Sequence, residues 1–137
     1  MSSNTKPIGV AYEDQNIVGS DQIYSGGELG YTQEAQGTVT QQTSKSTGVT
    51  LNRSAGQITM NNATLNAATN VTFTLTNSTL SARDVLLVNV ASGATSGAYN
   101  CWVSSQGSGS CTITVRNISG GNLSEAVVLN FAIIHCL

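Results

Sequence analysis

The stretch from residue 110 to residue 134 constrains the chain most, because its pattern suits strands and little else. In the first part Cys111, Ile113 and Val115 alternate with Thr112, Thr114 and Arg116, the period-two signature of a strand with one face buried and one wet. Residues 117–122 contain Gly-Gly and break the pattern, so the chain turns there. The second part, residues 126–134, is apolar on both faces apart from Asn130, and its Val, Phe and Ile content favours a strand over a helix. A strand apolar on both sides needs another layer, or another subunit, over it.

Residues 38–41, 48–51, 57–61, 70–76, 84–91 and 98–104 read as further short strands separated by turn residues. In 70–76, Val71, Phe73 and Leu75 point one way and Thr72, Thr74 and Thr76 the other. Residues 84–91 hold Val85, Leu86, Leu87 and Val88 in succession, a second strand expected to be buried on both faces. Eight strands at these spacings predict an all-β sandwich, and eight strands in two sheets is the strand count of a jelly roll. No internal repeat of fixed period is present. At residues 62–69, Ala and Leu allow a single helical turn.

With 137 residues the chain is expected to be one domain, a β-sandwich over 37–137 preceded by an extended arm over 1–36. The arm holds five of the seven acids (Glu13, Asp14, Asp21, Glu28, Glu34) against the single base Lys6, a side-chain charge of −4, whereas the remainder carries +2. Three of the four tyrosines, Tyr12, Tyr24 and Tyr31, also lie there, and its apolar residues follow no sustained period. Such a segment suits docking along a more basic surface, with rings as anchors and carboxylates on the rim. An ordinary disordered N-terminus is the other reading.

Only 9% of residues are charged and the net charge is −2, so the basic footprint of a nucleic-acid binder is missing. No apolar run approaches the roughly 20 residues of a membrane span, and the first residues lack the apolar core of a signal peptide, so synthesis and retention in a cytoplasm are expected. The five Asn-x-Ser/Thr triplets, at Asn62, Asn70, Asn77, Asn117 and Asn122, then read as an accident of composition. With one proline and so few charges, the sheet edges have little protection against pairing with other chains. Self-association is the simplest resolution.

No catalytic or metal-binding motif stands out, and no cofactor is expected. Cys101 and Cys111 flank the loop Ser-Ser-Gln-Gly-Ser-Gly, a separation compatible with a cross-strand bridge, but a reducing compartment favours two free core thiols. Cys136 has no candidate partner. The lone His135, beside Cys136, reads as incidental; if the chain were an enzyme, His135 is the residue it should need. Asp84 and Glu125 are the only acids of the body and read as structural, Asp84 at a strand start and Glu125 available to a base on a neighbouring chain. Trp102 beside Tyr99 reads as core or subunit packing rather than a sugar-stacking platform.

The segments Gly37-Thr38-Val39-Thr40-Gln41, Gly48-Val49-Thr50-Leu51-Asn52, Phe73-Thr74-Leu75-Thr76-Asn77-Ser78, Cys111-Thr112-Ile113-Thr114 and Leu123-Ser124-Glu125-Ala126-Val127-Val128-Leu129-Asn130-Phe131-Ala132 together resemble a β-domain of small structural proteins of tailed bacteriophages. The leading Lys6-Pro7-Ile8-Gly9-Val10-Ala11-Tyr12 is similar to the start of small phage head components. The resemblance implies a virion protein made in the host cytoplasm, a capsid decoration or cement protein binding the outer coat surface as a homotrimer, with the major capsid protein as partner. It is also similar to domains of tail fibres and spikes, which implies receptor or glycan binding as the alternative. It supplies no catalytic residues. On this reading Ile8, Val10, Tyr12, Glu13, Asp14, Ile17, Tyr24, Leu29 and Tyr31 contact the coat, while Arg116, Glu125, Val128, Phe131 and Ile134 form the trimer interface.

Overall fold

The computed structural model describes residues 19–136. A 3-10 turn, Gln33–Ala35, leads into eight strands: β1 (Gln36–Thr40), β2 (Val49–Thr50), β3 (Ala55–Thr59), β4 (Asn70–Thr76), β5 (Val85–Ser92), β6 (Tyr99–Gly107), β7 (Ser110–Asn117) and β8 (Val128–Ile134). They form two four-stranded sheets packed face to face, one in the order β1-β3-β8-β5 and the other β2-β4-β7-β6. The all-β sandwich expected from the alternation is therefore present. Its sheets are mixed, however, because β1 runs parallel to β3 and β2 parallel to β4. The antiparallel order of a jelly roll is not reproduced.

Crossing between sheets explains the parallel pairs. The chain passes from β1 to β2 to β3 to β4 by changing sheet each time, so each strand returns to its own sheet in the direction of the last one there. Between β7 and β8 the turn that begins at Ile118 is likewise a crossover between sheets, not a hairpin. Among the described residues the one tight hairpin joins β6 to β7 through Ser108 and Gly109, with Gly109 at φ 79°, a backbone that glycine adopts freely. Residues 62–69 form no helix. Leu65 instead bridges Leu123, which ties this segment to the β7–β8 crossover.

The core lies between the sheets. From β8, Leu129, Phe131 and Ile133 face Phe73 and Leu75 of β4 and Ile113 and Val115 of β7, with Ile58, Met60, Leu86 and Val127 completing the cluster. Each such side chain contributes about 1.5–3 kcal/mol by leaving water. Gly37 and Gly56 are register partners on β1 and β3, and Leu51 covers the pair; a Cβ on Gly56 would meet Gly37 O at 2.5 Å and Leu51 Cδ2 at 2.8 Å. Glycine there is a packing requirement.

Two asparagines close the ends. Asn77, just past β4, donates from Nδ2 to Arg53 O (2.7 Å) and accepts at Oδ1 from Thr79 N (3.0 Å) and Thr79 Oγ1 (2.7 Å). Asn117, the last residue of β7, donates to Leu65 O (3.0 Å) and Gly121 O (2.8 Å) and accepts from Ser119 N (2.9 Å) and Ser119 Oγ (2.7 Å). Because β4 and β7 run antiparallel, the two motifs sit at opposite ends of the sandwich. Two of the Asn-x-Ser/Thr triplets are thus Asx turns whose asparagines are fully buried.

Removing either amide empties a fully buried position and leaves several partly buried hydrogen-bonding groups without their partner. Asn77→Ala and Asn117→Ala are each expected to lower stability by about 2–4 kcal/mol, measured as a reduced urea midpoint, while Asn62→Ala at an exposed site changes it by about 0.5 kcal/mol or less. A loss under about 1 kcal/mol at either buried site contradicts their capping role.

Candidate functional site

Strand alternation decides what each face presents. On the β1-β3-β8-β5 sheet, the residues opposite the core set are Val85, Leu87 and Asn89 of β5, Val128, Asn130, Ala132 and Ile134 of β8, and Ala55 and Gln57 of β3. Registered rows run Leu87–Ala132–Ala55 and Asn89–Asn130–Gln57. Both strands were expected to be covered on two sides. Within the single chain they are covered on one: Val85, Leu87 and Ile134 are 47%, 55% and 55% exposed. The middle of this face is a shallow trough of about 690 Å³ floored by Ala132, Asn130 and Gln57 and flanked by Gln33 and Leu87. Asn130 Oδ1 is shut off from solvent in it and has no hydrogen-bond partner among the described residues.

The opposite outer face differs in chemistry. Thr72, Thr74 and Thr76 of β4 stand beside Thr114, Thr112 and Ser110 of β7, and hydroxyls bond to one another from Thr72 to Thr114 (2.8 Å), Thr114 to Ser104 (2.9 Å) and Ser104 to Thr112 (3.0 Å). The hydroxyls of Thr72, Thr114, Ser104 and Thr112 thus satisfy one another. Trp102 borders it, 36% exposed and in register with Thr114. Tyr99 lies three residues back, turned toward the core, so the two rings form no shared platform. Burial, with Glu125 nearby, pushes the Tyr99 hydroxyl up to about 12.

The five residues expected at the trimer interface do not share a surface. Val128 and Ile134 lie on the outer face of β8, but Phe131, an odd number of residues from each, points into the core and is 4% exposed. Arg116 is on the other sheet, where Nη1 donates to Asn70 Oδ1 (3.3 Å). Glu125, in the β7–β8 crossover, accepts from Thr95 N (3.1 Å) and Thr95 Oγ1 (2.6 Å), which holds its carboxyl below the usual range. Its backbone carbonyl, with that of Asn61, accepts from the buried Lys45 ammonium. Burial lowers the Lys45 pKa, with Glu125 opposing. Sequence reading missed this internal role of Lys45.

Of the residues expected to touch a coat, Ile8, Val10, Tyr12, Glu13, Asp14 and Ile17 lie outside the described residues. Tyr24 and Leu29 are 86% and 91% exposed, and Ile23 beside them is 65% exposed. Tyr31 is different: its hydroxyl donates to Ile133 O, and its ring meets His135 edge-on at 6.4 Å. Gln36 Nε2 donates to Tyr31 O (3.0 Å). The arm is pinned at Tyr31 to the end of β8, and every described residue upstream of it is exposed.

At that same end His135 is not incidental. Its Nδ1 is 3.0 Å from Asp84 Oδ2 and its Nε2 is 3.0 Å from Ser54 Oγ. Asp84, with 2% of its side chain exposed, also accepts from Ser81 N (2.8 Å) and Cys136 N (2.9 Å). Those two backbone donors, helped by His135, hold its carboxyl well below the usual carboxylate range. Cys101 pairs in register with Val115 and Cys111 with Gln106, so the two cysteines are not opposite one another, and both are free. Burial pushes the Cys111 thiol up to about 11 and raises that of Cys101, which suits packing and opposes nucleophilic or ligand chemistry. Among the described residues no cluster of three His, Cys, Asp or Glu side chains could hold a metal ion, and no helix is long and apolar enough to cross a membrane. Compared with protein-family models, curated proteins and solved structures, the chain matches none.

The lowered Asp84 carboxyl has a consequence for stability. A group whose pKa falls on folding contributes stability that is present above its unfolded value, near 3.9, and is lost as pH drops toward the folded value. The thermal midpoint is expected to hold between about pH 7 and pH 5 and to fall below about pH 4, with Asp84→Asn less stable at neutral pH and losing part of that acid dependence. Parallel acid curves for the two proteins contradict this assignment.

Proposed function

We propose that the chain is an assembly protein, a decoration or cement protein of a tailed-phage capsid, which binds the coat lattice as a homotrimer. The observation that supports it best is the pairing of two unpartnered apolar elements in one molecule. These are the outer face of the β1-β3-β8-β5 sheet, with Val85, Leu87 and Ile134 in water, and the arm, with Ile23, Tyr24 and Leu29 in water. Exposed apolar groups grouped in this way mark interaction surfaces. The sheet face suits contact between copies. The arm, pinned at Tyr31 and acidic upstream of it, suits a less acidic coat surface.

Such a protein works by linkage. It binds the assembled shell in preference to free coat subunits, so shell stability rises with its concentration relative to the dissociation constant. Three arms on one trimer bind as a unit, which multiplies a weak single contact through effective concentration. The phage assignment rests on the resemblance of the strand segments, and the assembly role on the exposed surfaces. A tail-fibre domain binding a glycan is the second reading; Trp102 at the edge of the threonine ladder favours it.

Deletion of residues 2–30 leaves the Tyr31 anchor in place and is expected to preserve the oligomer while abolishing decoration of capsids of the phage that encodes the chain, scored by co-sedimentation. Copy number per virion is expected in the hundreds. Normal decoration by the truncated protein, or a handful of copies per particle, contradicts the proposal.

A further inference from the structure

Ser54, Asp84 and His135 come from three distant parts of the chain: the turn before β3, the residue before β5 and the residue after β8. Folding closes them into one line, Ser54 Oγ to His135 Nε2 at 3.0 Å and His135 Nδ1 to Asp84 Oδ2 at 3.0 Å. We propose that this line is a catalytic triad and that Ser54 is the nucleophile of an acyl-transfer site acting on esters. The inference goes beyond the assembly role and does not depend on it.

The order of atoms is the first argument. With Nδ1–H donated to a carboxylate, a neutral imidazole carries its lone pair on Nε2, and Nε2 is the nitrogen that faces the hydroxyl. A nucleophile, a base within hydrogen-bond reach and a third group orienting the base is the general arrangement for activating serine. The second argument is the state of Asp84, which is closed off from solvent and ionised, held by Ser81 N and Cys136 N, with no lysine or arginine beside it among the described residues. It is fixed before His135 needs it. The third is access: Asp84 is buried, but 38% of the His135 side chain is exposed, so the line runs from the interior outward to the rim of the sandwich. Tyr31 flanks His135 edge-on and limits the ring's movement.

The chemistry balances with water as co-reactant. Ser54 Oγ forms a bond to the ester carbonyl carbon while its proton passes to His135 Nε2, and Asp84 stabilises the resulting imidazolium. Collapse of the tetrahedral adduct breaks the bond to the alcohol oxygen, which leaves with the proton from Nε2. Water, deprotonated by the same nitrogen, then attacks acyl-Ser54, releasing the acid and restoring the hydroxyl. A site on an open rim suits an ester carried on a bulky or polymeric alcohol.

The test uses the full-length protein and a fluorophosphonate probe, which loses fluoride to an activated serine and leaves a stable phosphonyl adduct. Mass mapping is expected to place one adduct on Ser54. Ser54→Ala is expected to take no label, and His135→Gln to slow labelling by about 100-fold or more, the usual scale of general-base catalysis, with circular dichroism melts confirming that both variants fold. A line that only fixes the chain end gives no adduct. An unlabelled wild-type protein, label on another residue, or an unchanged labelling rate in folded His135→Gln overturns the proposal.

Discussion

The contact on which the rest depends is the packing of β8 against β4 and β7 across the sandwich. Leu129, Phe131 and Ile133 meet Phe73, Leu75, Ile113 and Val115, and none of the seven is more than 4% exposed. β8 is central in its own sheet, paired with β3 on one side and β5 on the other, so its inner face fixes the position of both neighbours. The strand that anchors the core is also apolar on its other face. Burying Leu129, Phe131 and Ile133 necessarily sends Val128, Ala132 and Ile134 outward, because successive side chains in a strand leave on opposite sides.

All eight strands were legible in the sequence, since alternation and turn residues are local signals. Their arrangement was not. The parallel pairs β1–β3 and β2–β4 arise from the chain changing sheets, which no local period encodes. Alternation also carried information that a list of apolar residues discards. Phe131 was expected at one interface with Val128 and Ile134, and strand parity separates them. The same parity turns Tyr99 inward and Trp102 outward.

The cluster at the end of β8 was the least legible part. Ser54, Asp84 and His135 carry no shared motif, and each has an ordinary local explanation: a turn serine, a strand-start acid, a histidine at a strand exit. Only the register of β3, β5 and β8, which brings Ser54 alongside Ile133, joins them. Asn77 and Asn117 were visible as members of Asn-x-Ser/Thr triplets, yet their role as buried caps depends on loops from elsewhere in the chain, at Arg53 and Leu65. Lys45 likewise looked like one base among few, and is instead a buried donor to two backbone carbonyls.

The two outer faces end up unlike. The threonine ladder on β4 and β7 bonds to itself and is suited to water, whereas the face of β5 and β8 leaves three large aliphatic side chains exposed and Asn130 Oδ1 without a partner among the described residues. In the proposed assembly, copies of the chain cover that second face. Sedimentation equilibrium at micromolar concentration tests it directly, comparing the wild-type chain with Leu87→Glu, whose site is exposed enough to fold with the charge. A trimer that dissociates in the variant is the predicted result. A folded wild-type monomer, or a trimer indifferent to the charge, would contradict it.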